Sequence, residues 1–405
     1  MNRYSYFVLM LGFVCLMFHP LYAQETEEKE PKLTTNGYVK YLHNTNFIDL
    51  EGNTLSVNLI HNRWNFKYTP NKNWTIAFEA RNRVFWGEQL KLDTTFANSI
   101  DQYDGLVDLS VRWLDRRSLF IHSIADRAYV DYHTDKWELR VGRQRINWGI
   151  NTVWNPNDWF NALNFLDFDY EERPGSDAIR FQYFTGILSS LDIAFAPGRS
   201  DSTHIGAIKY QFNTGGYDIQ LLSGYYRGDL ALGLGWAGNI GGAGFKGEGS
   251  FFTPLEGLSP DSSNSVQLTV SADYLFGNGI YLSGGILYNS NGNNSSSEGN
   301  SVGGNSLAAS ALSPKNLFPA TFSYSASSSY QISPISSVNL SLIYAPDATI
   351  PFFTDRHLTL IIPTYTFSIK ENWDLDIIGQ IYAAELLEQY RHLFSSVNIR
   401  LKWSY

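Results

Sequence analysis

Charged side chains lie on one face of the first six strand-like segments of this 405-residue chain, and they are the residues whose types and spacing could do chemistry. The basic members are Arg63, Lys67, Arg81, Arg83, Arg127, Arg140 and Arg180, and the acidic members on the same faces are Glu79, Asp131 and Glu138. Guanidinium groups beside carboxylates can set up an electric field across a water-filled channel. Their other possible role is to pair with one another and solvate a wide polar interior.

Arg143 and Arg145 do not fit this alternation. Counting from Trp137, Leu139 and Val141, both would face lipid, which costs about 2–4 kcal/mol near the middle of a bilayer. Either a β-bulge at Gly142 turns them inward, or they lie above the membrane. The strand is long and the glycine is well placed, so we favour the bulge and expect both arginines in the lumen.

The stretch that follows, 148–176, is too long and too aromatic for a simple connection. Its carboxylates are Asp158, Asp167, Asp169, Glu171 and Glu172. Folded into a barrel, the stretch would narrow the pore and place these acids opposite the arginines. Left outside, it would be a binding or adhesive loop. Exposed apolar side chains are costly in water, which favours the inward position.

The same region carries a sequence resemblance. The patterns are G-R-Q-x-x-x-W-G at 142–149, N-P-N-D at 155–158 and R-P-G-x-D-A-I-R at 173–180. They resemble a segment shared among porin-like outer-membrane families, including alginate-export-type porins and related barrels. The likeness covers about 40 residues of the 405. It implies a monomeric outer-membrane channel with an inward-turning loop, and alginate is not carried over as the solute.

The rest of the chain reads as strands of about ten residues with alternating polarity, separated by alternately short and long connections, as in transmembrane β-barrels. The short turns are 69–73, 133–136, 185–189, 213–216, 238–242, 276–279, 333–336 and 371–373. Eight such turns predict an all-β, single antiparallel transmembrane barrel of 18 strands, with 16 as the alternative. The longer connections are predicted at 86–120, 148–176, 197–204, 254–264, 291–319, 346–356 and 386–393.

The chain termini indicate export to the outer membrane. Residues 1–23 read as a cleaved signal peptide, 24–35 as an acidic periplasmic tail and 36–405 as the barrel. The sole cysteine, Cys15, lies in the signal, so no disulfide is expected. The last strand alternates and ends on Tyr405, which resembles the signal read by the barrel-assembly machinery. Both termini are then expected in the periplasm of a Gram-negative cell.

The sequence offers little sign of an enzyme. It contains no H-E-x-x-H or P-loop pattern, and its G-x-S-x-G match at 299–303 falls in an Asn-, Ser- and Gly-rich low-complexity stretch. We therefore expect no enzyme activity, cofactor, metal or nucleic-acid partner. The predicted function is passive diffusion of small hydrophilic, polar or anionic solutes through a barrel that contacts outer-membrane lipid and lipopolysaccharide. The alternatives are a barrel for polysaccharide export or surface binding and, less favoured, a lipid-modifying enzyme. The solute, monomer or trimer state and the loop position stay open.

Overall fold

The structure is a computed structural model that describes residues 32–47, 52–101, 105–161, 175–260, 262–292, 313–348, 356–386 and 389–405. The predicted signal peptide, 1–23, lies outside the described residues, as does the predicted acidic tail up to residue 31. No helix in these described ranges is long and apolar enough to cross a membrane.

Most of the described chain is β-strand. The strands are β1 (Leu33–Phe47), β2 (Thr54–Asn71), β3 (Trp74–Gly87), β4 (Ser110–Arg116), β5 (Leu119–His133), β6 (Trp137–Gln144), β7 (Ser176–Gly186), β8 (Ser189–Ala196), β9 (Ile205–Thr214), β10 (Tyr217–Tyr226), β11 (Asp229–Ile240), β12 (Ala243–Pro254), β13 (Ser265–Leu275), β14 (Ile280–Asn289), β15 (Phe322–Ser333), β16 (Ser336–Ala345), β17 (Arg356–Lys370), β18 (Trp373–Leu386) and β19 (Gln389–Ser404). Two one-turn helices, α1 (Glu88–Leu92) and α2 (Phe96–Ile100), lie between β3 and β4.

The strands close into an antiparallel barrel of 18 strands, which confirms the predicted fold class and strand number. Closure is made by β1 and β19, which pair from Tyr38↔Ser404 to Phe47↔Ser395. Nineteen strands make 18 positions in the barrel because β4 and β6 share one position. On the same edge of β5, β4 pairs with the first half of the strand and β6 with the second half. Thus β4 occupies the edge of β5 that the short strand β6 does not reach.

All eight predicted short turns join successive strands, and they lie with the start of β1 and the end of β19 at one end of the barrel, called here the short-turn end. The opposite end of the barrel is called here the long-loop end, and it has two connections that were not predicted from the sequence. One joins β1 to β2, and the other is the two-residue turn Arg227-Gly228 between β10 and β11. The connection predicted at 386–393 is shorter than expected, because β18 runs to Leu386 and β19 starts at Gln389.

Alternating polarity decides which side of each strand faces outward. On β19, Val397 and Ile399 are exposed on the outer surface, whereas Asn398 between them is fully buried. Near the short-turn end, the rings of Trp74, Tyr132 and Trp137 pack in sequence, with centroids 4.8 and 5.2 Å apart. Such aromatic bands are typical of the membrane–water interface of outer-membrane barrels.

Candidate functional site

The inner wall formed by β2, β3 and β5 carries a buried cluster of charges centred on Asp126. The β3–β5 register shifts between Glu79↔Arg127 and Ala80↔Ala125, so Asp126 is the extra residue of a β-bulge. Its carboxylate accepts hydrogen bonds from Arg63 (2.8 Å) and Arg81 (2.7 Å). Arg63 also pairs with Glu79. The bulge therefore adds an inward acid that strict alternation assigns to lipid.

Asp126 was not among the predicted wall residues, because unbroken alternation along β5 places it on the lipid side. The available signal was the adjacent pair Asp126-Arg127 in the middle of a strand, since two neighbouring charges can both avoid lipid only if the strand bulges. Arg127 donates to the backbone carbonyl of Asp126 at 2.8 Å, and Asp126 itself is 1% exposed.

The other predicted wall residues form further ion pairs around the barrel. Arg140 lies 3.2 Å from Asp131 and 2.8 Å from Glu138. Arg180 pairs with Asp192 of β8 at 2.5 Å, an acid that the sequence reading did not single out. Pairing between charges is thus one role of the predicted arginine wall.

A surplus of positive charge nevertheless faces the lumen. Leaving aside β4, the described inward-facing charges of β1–β9 are the basic residues Lys40, Arg63, Lys67, Arg81, Arg83, Arg127, Arg140, Arg180 and Lys209 and the acidic residues Glu79, Asp126, Asp131, Glu138 and Asp192. Nine cations stand against five carboxylates on this half of the wall. Because surplus charge on the low-dielectric walls of a narrow aqueous channel raises the local concentration of counter-ions, this half of the lumen attracts anions.

The predicted bulge at Gly142 is not formed, because neither ladder of β6 shifts register there. Gly142 instead has φ +118°, and a Cβ on it would lie 2.3 Å from the Ala128 carbonyl oxygen. Only glycine fits this conformation and close approach.

Arg143 lies in the wall rather than in the lumen, at the fork where β6 separates from β5. Its guanidinium donates to the carbonyl oxygens of Ala125 (3.0 Å) and Val107 and pairs with Asp177 at 2.8 Å. These contacts fill the gap in the β-ladder and correct the predicted lumenal position of Arg143. Arg145 follows the end of β6 and is half-buried.

The segment after β6 turns into the barrel, where Glu248 of β12 is the acid that binds its backbone. The Glu248 carboxylate accepts hydrogen bonds from the backbone N–H groups of Ile150, Asn151 (2.6 Å) and Asn157 (3.1 Å). Its side chain is 1% exposed. Ser271 of β13 donates to the Asn151 side chain at 2.5 Å. Because these partners face the lumen, residues 145–161 lie inside the barrel and narrow it.

Aromatic side chains fix this inward segment to the wall. The indole N–H of Trp148 donates to Asp192 at 3.0 Å, and that of Trp159 donates to Ser250 at 3.0 Å. The Trp154 ring packs edge-on against the ring of Phe318, outside the inward segment. The three tryptophans are at most 2% exposed. Their burial agrees with the predicted inward position of the segment, which avoids the free-energy cost of exposing apolar side chains to water.

Of the five acids predicted to lie opposite the arginines, only Asp158 belongs to the part of the chain that the structure describes. Asp158 is fully buried and accepts a hydrogen bond from the Trp148 backbone N–H at 3.3 Å, so it stabilises the segment itself. Asp167, Asp169, Glu171 and Glu172 lie outside the described residues.

Two further segments pack inward from the long-loop end. Residues 313–320 are tied to the wall by the ion pair between Lys315 and Asp229, and Phe318 of this segment contacts Trp154. The second segment contains α1 and α2, whose residues Leu90 and Phe96 pack against Phe85 of β3 and neighbouring apolar residues of the wall. The lumen is therefore narrowed from three sides at this end.

Asp101, which follows α2, anchors the second of these segments to β4 and β5. It bonds to His122 at 2.9 Å and pairs with Arg112. Burial raises the pKa of Asp101, but its interactions with Ser110, Arg112 and His122 outweigh burial and lower the pKa to about 2.

Comparison with known proteins identifies the fold. No family model matches the chain, and no curated protein is similar in sequence. Among solved structures, OccAB4 of Acinetobacter baumannii superposes with a TM-score of 0.59 at 9% identity, covering 93% of this chain and 99% of that one. OccK1 (OpdK) of Pseudomonas aeruginosa gives a TM-score of 0.59 at 8% identity, with 92% and 98% covered.

The barrel has the fold of the Occ and Opd outer-membrane porins. This finding supports the porin-like barrel expected from residues 142–180. It does not support the likeness to alginate-export-type porins.

Proposed function

We propose that this protein is an outer-membrane channel for passive diffusion of small hydrophilic solutes, with a preference for anionic ones. The observation that carries the proposal is a closed 18-stranded barrel that is narrowed by residues 145–161 and has nine cations and five carboxylates on the inner wall of β1–β9. A barrel of this size leaves an aqueous channel that inward loops can restrict.

The solute preference has independent support from one structural relative. OpdK has been crystallised with vanillate, and it superposes on this chain with a TM-score of 0.59 at 8% identity. Vanillate is a small carboxylate, so its charge is complementary to the surplus cations of β1–β9 here. A carboxylate passing residues 145–161 would be attracted by that wall without forming a permanent pair.

The orientation and partners follow from the same proposal. Short turns of outer-membrane barrels face the periplasm, so both termini would lie there. The outer aromatic band would contact outer-membrane lipid and lipopolysaccharide, and the last strand, ending in Tyr405, would be recognised by the barrel-assembly machinery. The predicted signal peptide 1–23 would be removed during export.

Conductance and ion selectivity in planar bilayers test the channel. The folded protein should carry a steady current with more anions than cations. Replacing Arg81→Ala together with Arg83→Ala removes two of the nine cations and should shift the selectivity toward cations. Arg199→Ala, at an exposed position between β8 and β9, is the matched control and should leave selectivity unchanged. Folded protein that carries no current would refute the proposal.

A further inference from the structure

A row of neutral polar side chains crosses the outer surface of β2, β3 and β5. Its centre is formed by Asn62, Asn82 and Ser123, which lie opposite one another in the register of these three strands. All three are partly exposed. Asn82 has the same phase on β3 as Ile76 and Phe78, which are exposed on the outer surface. The row therefore points away from the lumen and toward the membrane.

Hydrogen bonds join these side chains into one continuous feature, called here the outer polar row. Asn82 donates to Asn62 at 3.3 Å and accepts a hydrogen bond from Ser123 at 2.7 Å. At one end the Tyr405 hydroxyl accepts from Asn62 at 3.3 Å, and at the other end the Trp113 indole N–H donates to Ser123 at 2.8 Å. Trp113 is the extra residue of a β-bulge in β4 and is 54% exposed.

The outer polar row lies within the apolar band of the barrel rather than at its rim. On the outward phase of β3, Asn82 stands eight residues from Trp74 and four from Trp86. A strand that rises about 3.3 Å per residue and is tilted by about 40° places Asn82 about 20 Å from the level of Trp74 and about 10 Å from that of Trp86. Aromatic residues mark the two edges of the lipid-facing band, so the row would meet hydrocarbon if nothing covered it.

The outer surface across the barrel is built differently. The outward phases of β11, β13 and β14 hold only aliphatic and aromatic residues and glycine. Polar groups are unfavourable in hydrocarbon unless a partner satisfies them, and the bonds within the row use only part of its capacity. Asn82 has a second amide N–H, and the side-chain oxygens of Asn62 and Ser123 can each accept one more hydrogen bond.

We propose that the outer polar row is the contact surface for a second copy of this chain. Amide and hydroxyl groups both donate and accept, so the row is complementary to its own copy. Copies that share one membrane and one orientation are related by an axis along the membrane normal, which keeps every residue at its depth. At this depth β11, β13 and β14 offer apolar side chains, whereas a two-fold axis places the row against itself.

Two features of the row fit such a contact. Exposed Trp113 belongs to the residue types that contribute most to the stability of protein interfaces. The row also runs across the strands at one depth, since Asn62, Asn82 and Ser123 are direct partners in the β-ladders. A pair of copies would therefore bring all three side chains of each into the same contact. This inference concerns the outer wall and is independent of the solute that the lumen conducts.

Sedimentation equilibrium of the folded protein in a density-matched detergent measures its self-association, and the wild-type protein should form a dimer. Asn62→Leu with Asn82→Leu replaces the centre of the row by side chains that lipid accepts. It should raise the dimer dissociation constant about tenfold, the loss expected for two hydrogen bonds between polar side chains in a membrane. Ser223→Leu makes the same kind of change at an outward position of β10. It is the matched control and should leave the constant unchanged.

Cysteine cross-linking tests the arrangement in outer membranes, because the chain without its predicted signal peptide contains no cysteine. Oxidation should link Asn82→Cys into covalent dimers and leave Ser223→Cys monomeric. The heat-dependent shift of the band on a detergent gel verifies that each variant is folded. A wild-type protein that stays monomeric, or a dimer that the folded Asn62→Leu, Asn82→Leu variant does not weaken, would overturn the contact and leave the channel function intact.

Discussion

Glu248 offers the sharpest perturbation of the constriction, because one side chain of β12 binds three backbone N–H groups of the inward segment. Glu248→Ala removes the carboxylate and leaves the N–H groups of Ile150, Asn151 and Asn157 without this acceptor. Glu248→Gln is the conservative variant. Its single carbonyl oxygen can serve Ile150 and Asn151, but its amide group cannot accept from Asn157.

The size of the effect follows from comparing two sets of contacts. Hydrogen bonds to a charged group contribute about 1.5–3 kcal/mol each, so three contribute at most about 5–9 kcal/mol, and less because they share one carboxylate. The buried Trp148, Trp154 and Trp159 each remove about 150–250 Å² from water. At about 25 cal/mol per Å², they contribute together about 11–19 kcal/mol. The aromatic contacts outweigh the carboxylate, so residues 150–157 should loosen while the segment stays inside the barrel.

Single-channel recording distinguishes loosening from release. Glu248→Ala should raise the conductance and the open-channel current noise, Glu248→Gln should do so less, and deletion of residues 150–157 should set the upper limit. Asn151→Cys with Ser271→Cys, oxidised in the Glu248→Ala background, should restore the quiet wild-type current, since these side chains already lie 2.5 Å apart. The sole native cysteine, Cys15, lies in the predicted signal peptide and should not interfere.

Glu256→Gln, which alters an exposed acid beyond the end of β12, is the control and should leave the current unchanged. Wild-type conductance and noise in folded Glu248→Ala would refute the reasoning, because aromatic packing alone would then hold the segment.

Three further predictions concern the wall and its anchors. Asp126→Ala leaves the buried Arg63 with less compensation and should destabilise the barrel by about 3–5 kcal/mol, lowering the temperature at which the folded band disappears on a detergent gel; an unchanged temperature would contradict this. Gly142→Ala should reduce the folded yield through strain and backbone overlap, whereas Gly277→Ala, in an open turn, should not. Asp101, with its pKa lowered to about 2, stabilises the position of α2 above the unfolded pKa of about 3.9 and loses this effect as pH falls through about 2. Hydrogen exchange of residues 96–101 should therefore be equally slow at pH 7 and pH 5 after correction for intrinsic rates, and faster at both in Asp101→Asn.

Local chemistry made the barrel predictable from the sequence. Each short turn needs Gly, Asn, Asp or Pro at specific positions, and each strand needs one apolar face. Both signals depend on neighbouring residues alone, as in the turn 213–216 and the alternation of β19, so they can be recognised from the sequence. The two-residue turn Arg227-Gly228 was missed because one glycine between strands is a weak signal. Glu248 could be placed inward by alternation, but its partners lie about 95 residues earlier in a segment without periodicity. No local pattern encodes that contact.

The two departures from alternation, at Asp126 and at Arg143, have one physical cause. β5 must pair with β6 along its second half and with β4 along its first half, so the ladder changes partner near Ala125. The bulge turns Asp126 inward at this point, and the Arg143 guanidinium bonds to the Ala125 carbonyl oxygen at 3.0 Å. A charge that looks misplaced in the sequence thus supplies the hydrogen bonds that the interrupted ladder lacks. Because β6 ends here, the chain is free to leave the wall and enter the lumen, so the same fork that breaks the pattern also directs the constriction.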